Sequence, residues 1–115
     1  MDQIVIKDLE VHFCVGVTAA ERAKPQRLLL TVEMDRSCAA AARSDDLEDS
    51  INYYAVAQRL LSLGKGRSWN LIEAVAVEAA GVVLREFKPQ RVSVEVKKFV
   101  LTEAGHVSVR ITRPE

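Results

Sequence analysis

From Val92 to Lys97 apolar and polar side chains alternate strictly, with Val92, Val94 and Val96 on one face and Ser93, Glu95 and Lys97 on the other. A period of two marks a half-buried strand, and it carries Lys98 onto the valine face. The same alternation in "RLLLTVEMDRS" sets Leu28, Leu30, Val32 and Met34 against Thr31, Glu33 and Asp35. "IVIKDLEVHFCVGV" predicts a first strand ending near Gly16, and residues 91–99 and 106–112 predict the last two, joined by "VLTEAG". Between the two strand pairs the period lengthens. Tyr53, Val56, Ala57, Leu60 and Leu61 share one helical face of "NYYAVAQRLLSL" before the breaker "GKG", and "NLIEAVAVEAAGVVLREF" predicts a longer helix that stops before Lys88 and Pro89. "TAAERAKPQ" reads as a polar connection in which Pro25 stops any helix begun at residues 19–23. "RSDDLEDS" supplies turn and cap residues without fixing which is the N-cap.

The resulting order is β-β-α-α-β-β. Short connections favour two antiparallel hairpins with a helix pair on one sheet face, an α+β arrangement rather than a doubly wound sheet. At 115 residues the chain fits a single domain, 1–115. The long helix is apolar around most of its circumference, with charges only at Glu73, Glu78, Arg85 and Glu86. Such a helix is normally buried on more than one side, and a partner subunit is the natural cover, so a homo-oligomer is expected.

Composition narrows the function classes. Apolar residues make up 49% and charged residues 28%, enough to build a core and argue against disorder. Sixteen basic and sixteen acidic residues cancel, so neither nucleic acid nor an anionic membrane is expected as a partner. Cys14 and Cys38 form no CxxC pair, and His12 and His106 are too isolated to complete a metal site. Two free thiols fit a reducing cytoplasm. "MDQIVIKDLEV" lacks a basic start followed by an apolar core, so no signal peptide is expected. "AVAVEAAGVVL", interrupted by Glu78, is too short to span a bilayer. There is no Gly-rich phosphate loop and no Ser-His-Asp arrangement.

Four side chains remain as candidate chemistry. Lys98 either lies beyond the end of its strand and is solvated, or is an amine anchored on an apolar face; there desolvation penalises the ammonium and makes the amine usable as a base. Glu73 shares a helical stripe with Val77, Ala80 and Leu84, and it also stands three residues after Asn70, close to a capping-box spacing. A carboxylate in the first helical turn can do both jobs. Tyr53 is by default a core ring with its hydroxyl bonded, Glu21 a loop carboxylate beside Arg22, and Trp69 a packing residue. Singly, none identifies an activity.

Together, "GVTAAERAKPQ", "DDLEDSINYYAV", "NLIEAVAVEAA" and "VEVKK", in this order and nearly end to end, resemble dihydroneopterin aldolase. The resemblance implies the tunnelling fold: a four-stranded antiparallel sheet with two antiparallel helices on one side. Subunits would join their sheets into a ring-shaped barrel, as a tetramer or a stacked octamer, with active sites between neighbours. It implies retro-aldol cleavage of a pterin substrate, 7,8-dihydroneopterin, to 6-hydroxymethyl-7,8-dihydropterin and glycolaldehyde in folate biosynthesis, with epimerisation at C2′ in many members. The pterin's own C6–N5 imine is the electron sink, so no cofactor, metal or covalent lysine adduct is called for. By position, Glu73 would anchor the pterin beside the backbone of Ile72. Lys98 would be the catalytic amine, with Glu21 orienting it or a bound water, and Tyr53 would assist proton transfer from the adjacent subunit. Two positions depart from the pattern: Val15 stands before Gly16 where His is common, and Phe99 follows Lys98 where Pro is common. A sister group, dihydroneopterin triphosphate epimerase, shares these departures; its triphosphate would want a basic cluster such as Arg22, Lys24 and Arg27. A non-catalytic oligomer that keeps the pterin pocket for binding alone is the remaining alternative.

Overall fold

A computed structural model describes all 115 residues. Strand β1 (Gln3–Val15) and β2 (Gln26–Asp35) form one antiparallel hairpin, and β4 (Arg91–Lys98) and β5 (Val107–Arg113) form the other. β2 pairs antiparallel with β4, which joins the hairpins into one sheet. A two-residue strand, β3 (Ser68–Trp69), adds in parallel to the end of β1, so the sheet runs β3-β1-β2-β4-β5. The expected four-stranded antiparallel sheet is therefore present with a short fifth strand on its edge; two residues are too few to leave a periodic signal.

Helices α3 (Tyr53–Leu61) and α4 (Ile72–Phe87) lie where helical spacing predicts them. Asn52 is the N-cap of α3, its side chain accepting from the Ala55 amide at 3.1 Å. Two short helices depart from the sequence reading. Residues 19–22 do form a turn, α1 (Ala19–Arg22), capped by Thr18, and Pro25 only limits it to that length. The alanine run forms α2 (Ala39–Ser44), followed by a 3-10 turn at Leu47–Asp49.

One sheet face carries the core. Leu28, Leu30, Val32, Met34, Val92, Val94 and Val96 are all fully buried against Val56, Leu60, Val75, Ala79 and Val83 of the helices. The opposite face is polar and internally paired: Ser93 with Thr112, Glu95 with Arg110, Lys97 with Asp8. Asp8 sits in a β-bulge between Ile6 and Leu9 with φ 54, a left-handed conformation that Asp tolerates better than most residues. The bulge lets its amide donate to Thr31 Oγ1 at 3.0 Å, satisfying a threonine that is otherwise buried.

Candidate active site

The length of α4 brings two candidate residues to one end of the molecule. A 16-residue helix is roughly 24 Å long. The strand that follows, of eight residues, is roughly 26 Å. Only Lys88, Pro89 and Gln90 join them, and Lys88 is left-handed with φ 55, which reverses the chain. Helix and strand therefore run in opposite directions over similar lengths, which puts the first turn of α4, with Ile72 and Glu73, at the same end of the molecule as the last residue of β4, Lys98.

Lys98 is on the core face, as its place in the alternation predicts. It pairs with Leu28 and Val107 in the sheet and is only 9% exposed. The reading of Lys98 as a solvated strand end is thereby excluded. Lys97, its neighbour, points to the opposite face and is held by Asp8 at 2.8 Å. A buried ammonium needs a partner, and Lys98 Nζ lies 3.5 Å from Glu21 Oε2.

Glu21 reaches this position because the loop between β1 and β2 is tightly cross-bonded. Its Oε1 accepts from the Val17 amide at 3.1 Å, and its own amide donates to Thr18 Oγ1. Arg22 Nη1 donates to the carbonyls of Gly16 and Val17, and Gln26 Nε2 to that of Val15. Glycine is required at position 16 on packing grounds: a Cβ there would stand 2.2 Å from Glu21 Cβ. Desolvation pushes the Glu21 carboxyl up, but the Lys98 ammonium and the Thr18 and Val17 amides outweigh it and hold it below its ordinary value. Glu21 is thus no solvated loop pair with Arg22, the default that its sequence position suggests. No sequence pattern announces that position 21 returns to position 98.

Glu73 is exposed, and the N-cap of α4 is Leu71, with no side-chain bond at the helix start. The capping-box reading of Asn70 and Glu73 is thus not realised, and the carboxylate remains available to a ligand. Ile72 beside it is buried at 7% exposure. Tyr53 corrects the expectation of a core ring: it is 65% exposed in the single chain. It opens α3, whose far end leads to Gly64 packed against Phe13 near the end of β1. Tyr53 therefore stands at the end of its helix away from Glu21 and Lys98 of the same chain. Trp69 is a packing residue, as its type suggests, with its ring 5.4 Å from that of Phe13.

A shallow, open cleft of about 460 Å³ is lined by His12, Cys14, Arg22, Pro25, Arg67 and Ser68 among others, and by none of the four candidate residues. The candidate site is instead an open surface at the sheet's end: one buried ammonium, one carboxylate paired to it, and one free carboxylate on an uncapped helix turn. No group of three or more His, Cys, Asp or Glu side chains could hold a metal, and no helix is long and apolar enough to cross a membrane.

A buried ammonium paired with one carboxylate, beside a second carboxylate left free, is the set of groups that acid–base chemistry on a small polar molecule requires. Residues 4–112 match the family model of FolB, dihydroneopterin aldolase. The dihydroneopterin aldolases of Bacillus subtilis and Escherichia coli are 34% and 32% identical to it, each alignment covering 98% of this chain, with 98% and 93% of the relative covered. The solved structure of the Escherichia coli enzyme in complex with neopterin superposes with a TM-score of 0.93 at 32% identity, over 98% of this chain and 99% of that one. The chain belongs to the dihydroneopterin aldolase family, a family of lyases.

Proposed function

We propose that the protein cleaves 7,8-dihydroneopterin by a retro-aldol reaction to 6-hydroxymethyl-7,8-dihydropterin and glycolaldehyde, as a step of folate biosynthesis in the cytoplasm. The observation that carries this reading is the Lys98–Glu21 pair at the end of β4, its ammonium buried on the core face and its carboxylate half-buried. Breaking the bond between C1′ and C2′ requires removal of the 2′-hydroxyl proton and a place for the released electron pair. The C6–N5 imine of the substrate takes the electrons; Lys98, as the neutral amine left once its ammonium has given a proton to solvent, takes the 2′-hydroxyl proton, directly or through a water that Glu21 helps orient. A carboxylate facing the ring's 2-amino and N3–H donors gives a two-point, charge-assisted contact, the role assigned to Glu73 beside the Ile72 backbone. Tyr53 supplies proton transfer to the enol-like intermediate.

The placement of Tyr53, exposed and remote from Lys98 in its own chain, supports a site shared between two subunits. So does the absence of any enclosed cavity around Lys98 within one chain. β5 ends the sheet with an unpaired edge, and β3 covers only Cys14 and Val15 of the other. Free edges of this kind invite pairing with another chain, consistent with a ring of four subunits or two stacked rings.

The triphosphate epimerase reading is weaker, because two of its basic residues are committed elsewhere. Arg22 spends Nη1 on the Gly16 and Val17 carbonyls, and the Arg27 guanidinium lies 4.2 Å over the Phe99 ring. Incubation with 7,8-dihydroneopterin and an assay for free glycolaldehyde tests the proposal. Release is expected from the native protein. Epimer without glycolaldehyde would favour the epimerase, and tight pterin binding with neither product would favour a binding protein.

A further inference from the structure

One side-chain cluster near the site takes no part in the chemistry above. Glu78, in the second turn of α4, accepts from both terminal nitrogens of Arg67, with Nη2 at 2.7 Å from Oε1, and from Trp69 Nε1 at 3.4 Å. The Arg67 guanidinium also lies over the Trp69 ring, 4.7 Å from its centre. One carboxylate thus receives two residues of the β3 segment at once, and only Asn70 and Leu71 separate β3 from the start of α4. On its other side Trp69 is tied to the loop that holds Glu21: its carbonyl accepts the Gly16 amide at 3.0 Å.

We infer that Glu78 and Arg67 are positioning residues that fix the pterin-anchoring turn of α4 against the Gly16 seat of Glu21. The need for them follows from the helix start. Leu71 provides no side-chain cap, so the first turn, which carries Glu73, gains no order from a capping bond. A free carboxylate on a frayed turn would lose binding strength, because a ligand would have to order it first. The cluster supplies that order from one turn further on, while leaving the Glu73 carboxylate and the first-turn amides unspent. A bidentate guanidinium–carboxylate pair fixes orientation as well as distance, which an ammonium cannot do.

The same helix contains an internal control. Glu86, near its far end, forms an ion pair with Arg59 through one nitrogen, Nε, at 3.0 Å from Oε1 and 3.2 Å from Oε2. The inference rests on the pterin reading for Glu73, so the test has one arm that does not use pterin. Four proteins are compared: native, Glu78→Gln, Arg67→Lys and Glu86→Gln. With 7,8-dihydroneopterin as substrate and neopterin as the fluorescent ligand, Glu78→Gln is expected to raise KM and the neopterin Kd about tenfold while kcat changes less than about threefold. Arg67→Lys, keeping the charge and losing the fork, should behave similarly, and Glu86→Gln should match the native protein. In amide hydrogen exchange without ligand, Glu78→Gln should speed exchange at Gly16, Ile72 and Glu73, and Glu86→Gln should not. Equal KM and equal exchange at those amides in Glu78→Gln and Glu86→Gln would overturn the inference, even if both melt earlier. If the native protein failed to bind neopterin, the pterin reading would fall, and the exchange arm would still decide whether the cluster orders the turn.

Discussion

At the scale of single residues, the proposed site rests on a lysine that is buried and a glycine that has to lack a side chain. Lys98 was legible in the sequence, because a strict alternation of valines forces its position once the strand is granted. Glu73 was legible as an odd charge on an apolar stripe, although its capping alternative had to be removed by the actual helix start at Leu71. Gly16 was not legible, since its role comes from a turn five residues on that folds back over it. Gly16→Ala should therefore displace α1 and with it Glu21. Overpacking of this kind costs about 1–3 kcal/mol, and a misplacement of about 1 Å near the reacting atoms can cost on the order of 10²-fold in rate. Thermal melting and kcat measured on the same variant check this: a modest fall in Tm with a fall in kcat of about tenfold or more is expected, and an unchanged kcat would show that Glu21 does not orient the reaction. The core-ring default for Tyr53 fails for a physical reason: a shared helical face says which residues point the same way, not how far cover extends to the helix end where Tyr53 sits.

At the scale of elements, the strands and long helices followed from period alone, while α1, α2 and β3 did not. Each is one or two turns, or two residues, and is held by individual bonds, such as the local Thr18 cap and the β1–β3 pairing, rather than by a repeating pattern. The bulge in β1 is likewise invisible in "IVIKDLEV", yet it places Asp8 where Lys97 and Thr31 can reach it. The hydrogen bond from Lys97 holds the Asp8 carboxyl below its ordinary value, against some desolvation and with help from the Lys97 and Lys7 charges. Glu21 is lowered as well. For a carboxyl whose pKa is lower folded than unfolded, the added stability is present above the unfolded value and is lost as pH falls through the folded one. Thermal stability should accordingly be level near neutrality and decline once the pH drops below about 4, the ordinary carboxylate range. In an Asp8→Asn, Glu21→Gln variant the neutral Tm should be lower and the acid decline shallower; an acid decline as steep as in the native protein would mean that these two pairs do not link folding to protons.

At the scale of the whole molecule, the proposed site needs a second chain. Its extents of 51, 29 and 23 Å describe an elongated body that leaves Tyr53, Tyr54, Leu71, Val77 and Leu101 exposed. Val77, on a helix that is apolar around most of its circumference, is 45% exposed in the single chain. The apolar helix calls for cover in the sequence without saying where it would sit; under the proposed function, the separation of Tyr53 from Lys98 within one chain puts the subunit boundary between them. If the reaction uses Lys98 and Glu73 of one subunit with Tyr53 of its neighbour, two proteins that each lack one half can restore each other. Lys98→Ala should lose about 10²–10⁴-fold in turnover as a missing proton-transfer group, and Tyr53→Phe should be similarly impaired. Co-refolding the two in equal amounts and measuring glycolaldehyde release from 7,8-dihydroneopterin is the most direct measurement. Random assembly should give about a quarter of native activity, the fraction of sites that draw an intact lysine and an intact tyrosine from different chains. Activity no greater than the sum of the two parents, in particles shown to contain both, would contradict a site shared across the subunit boundary.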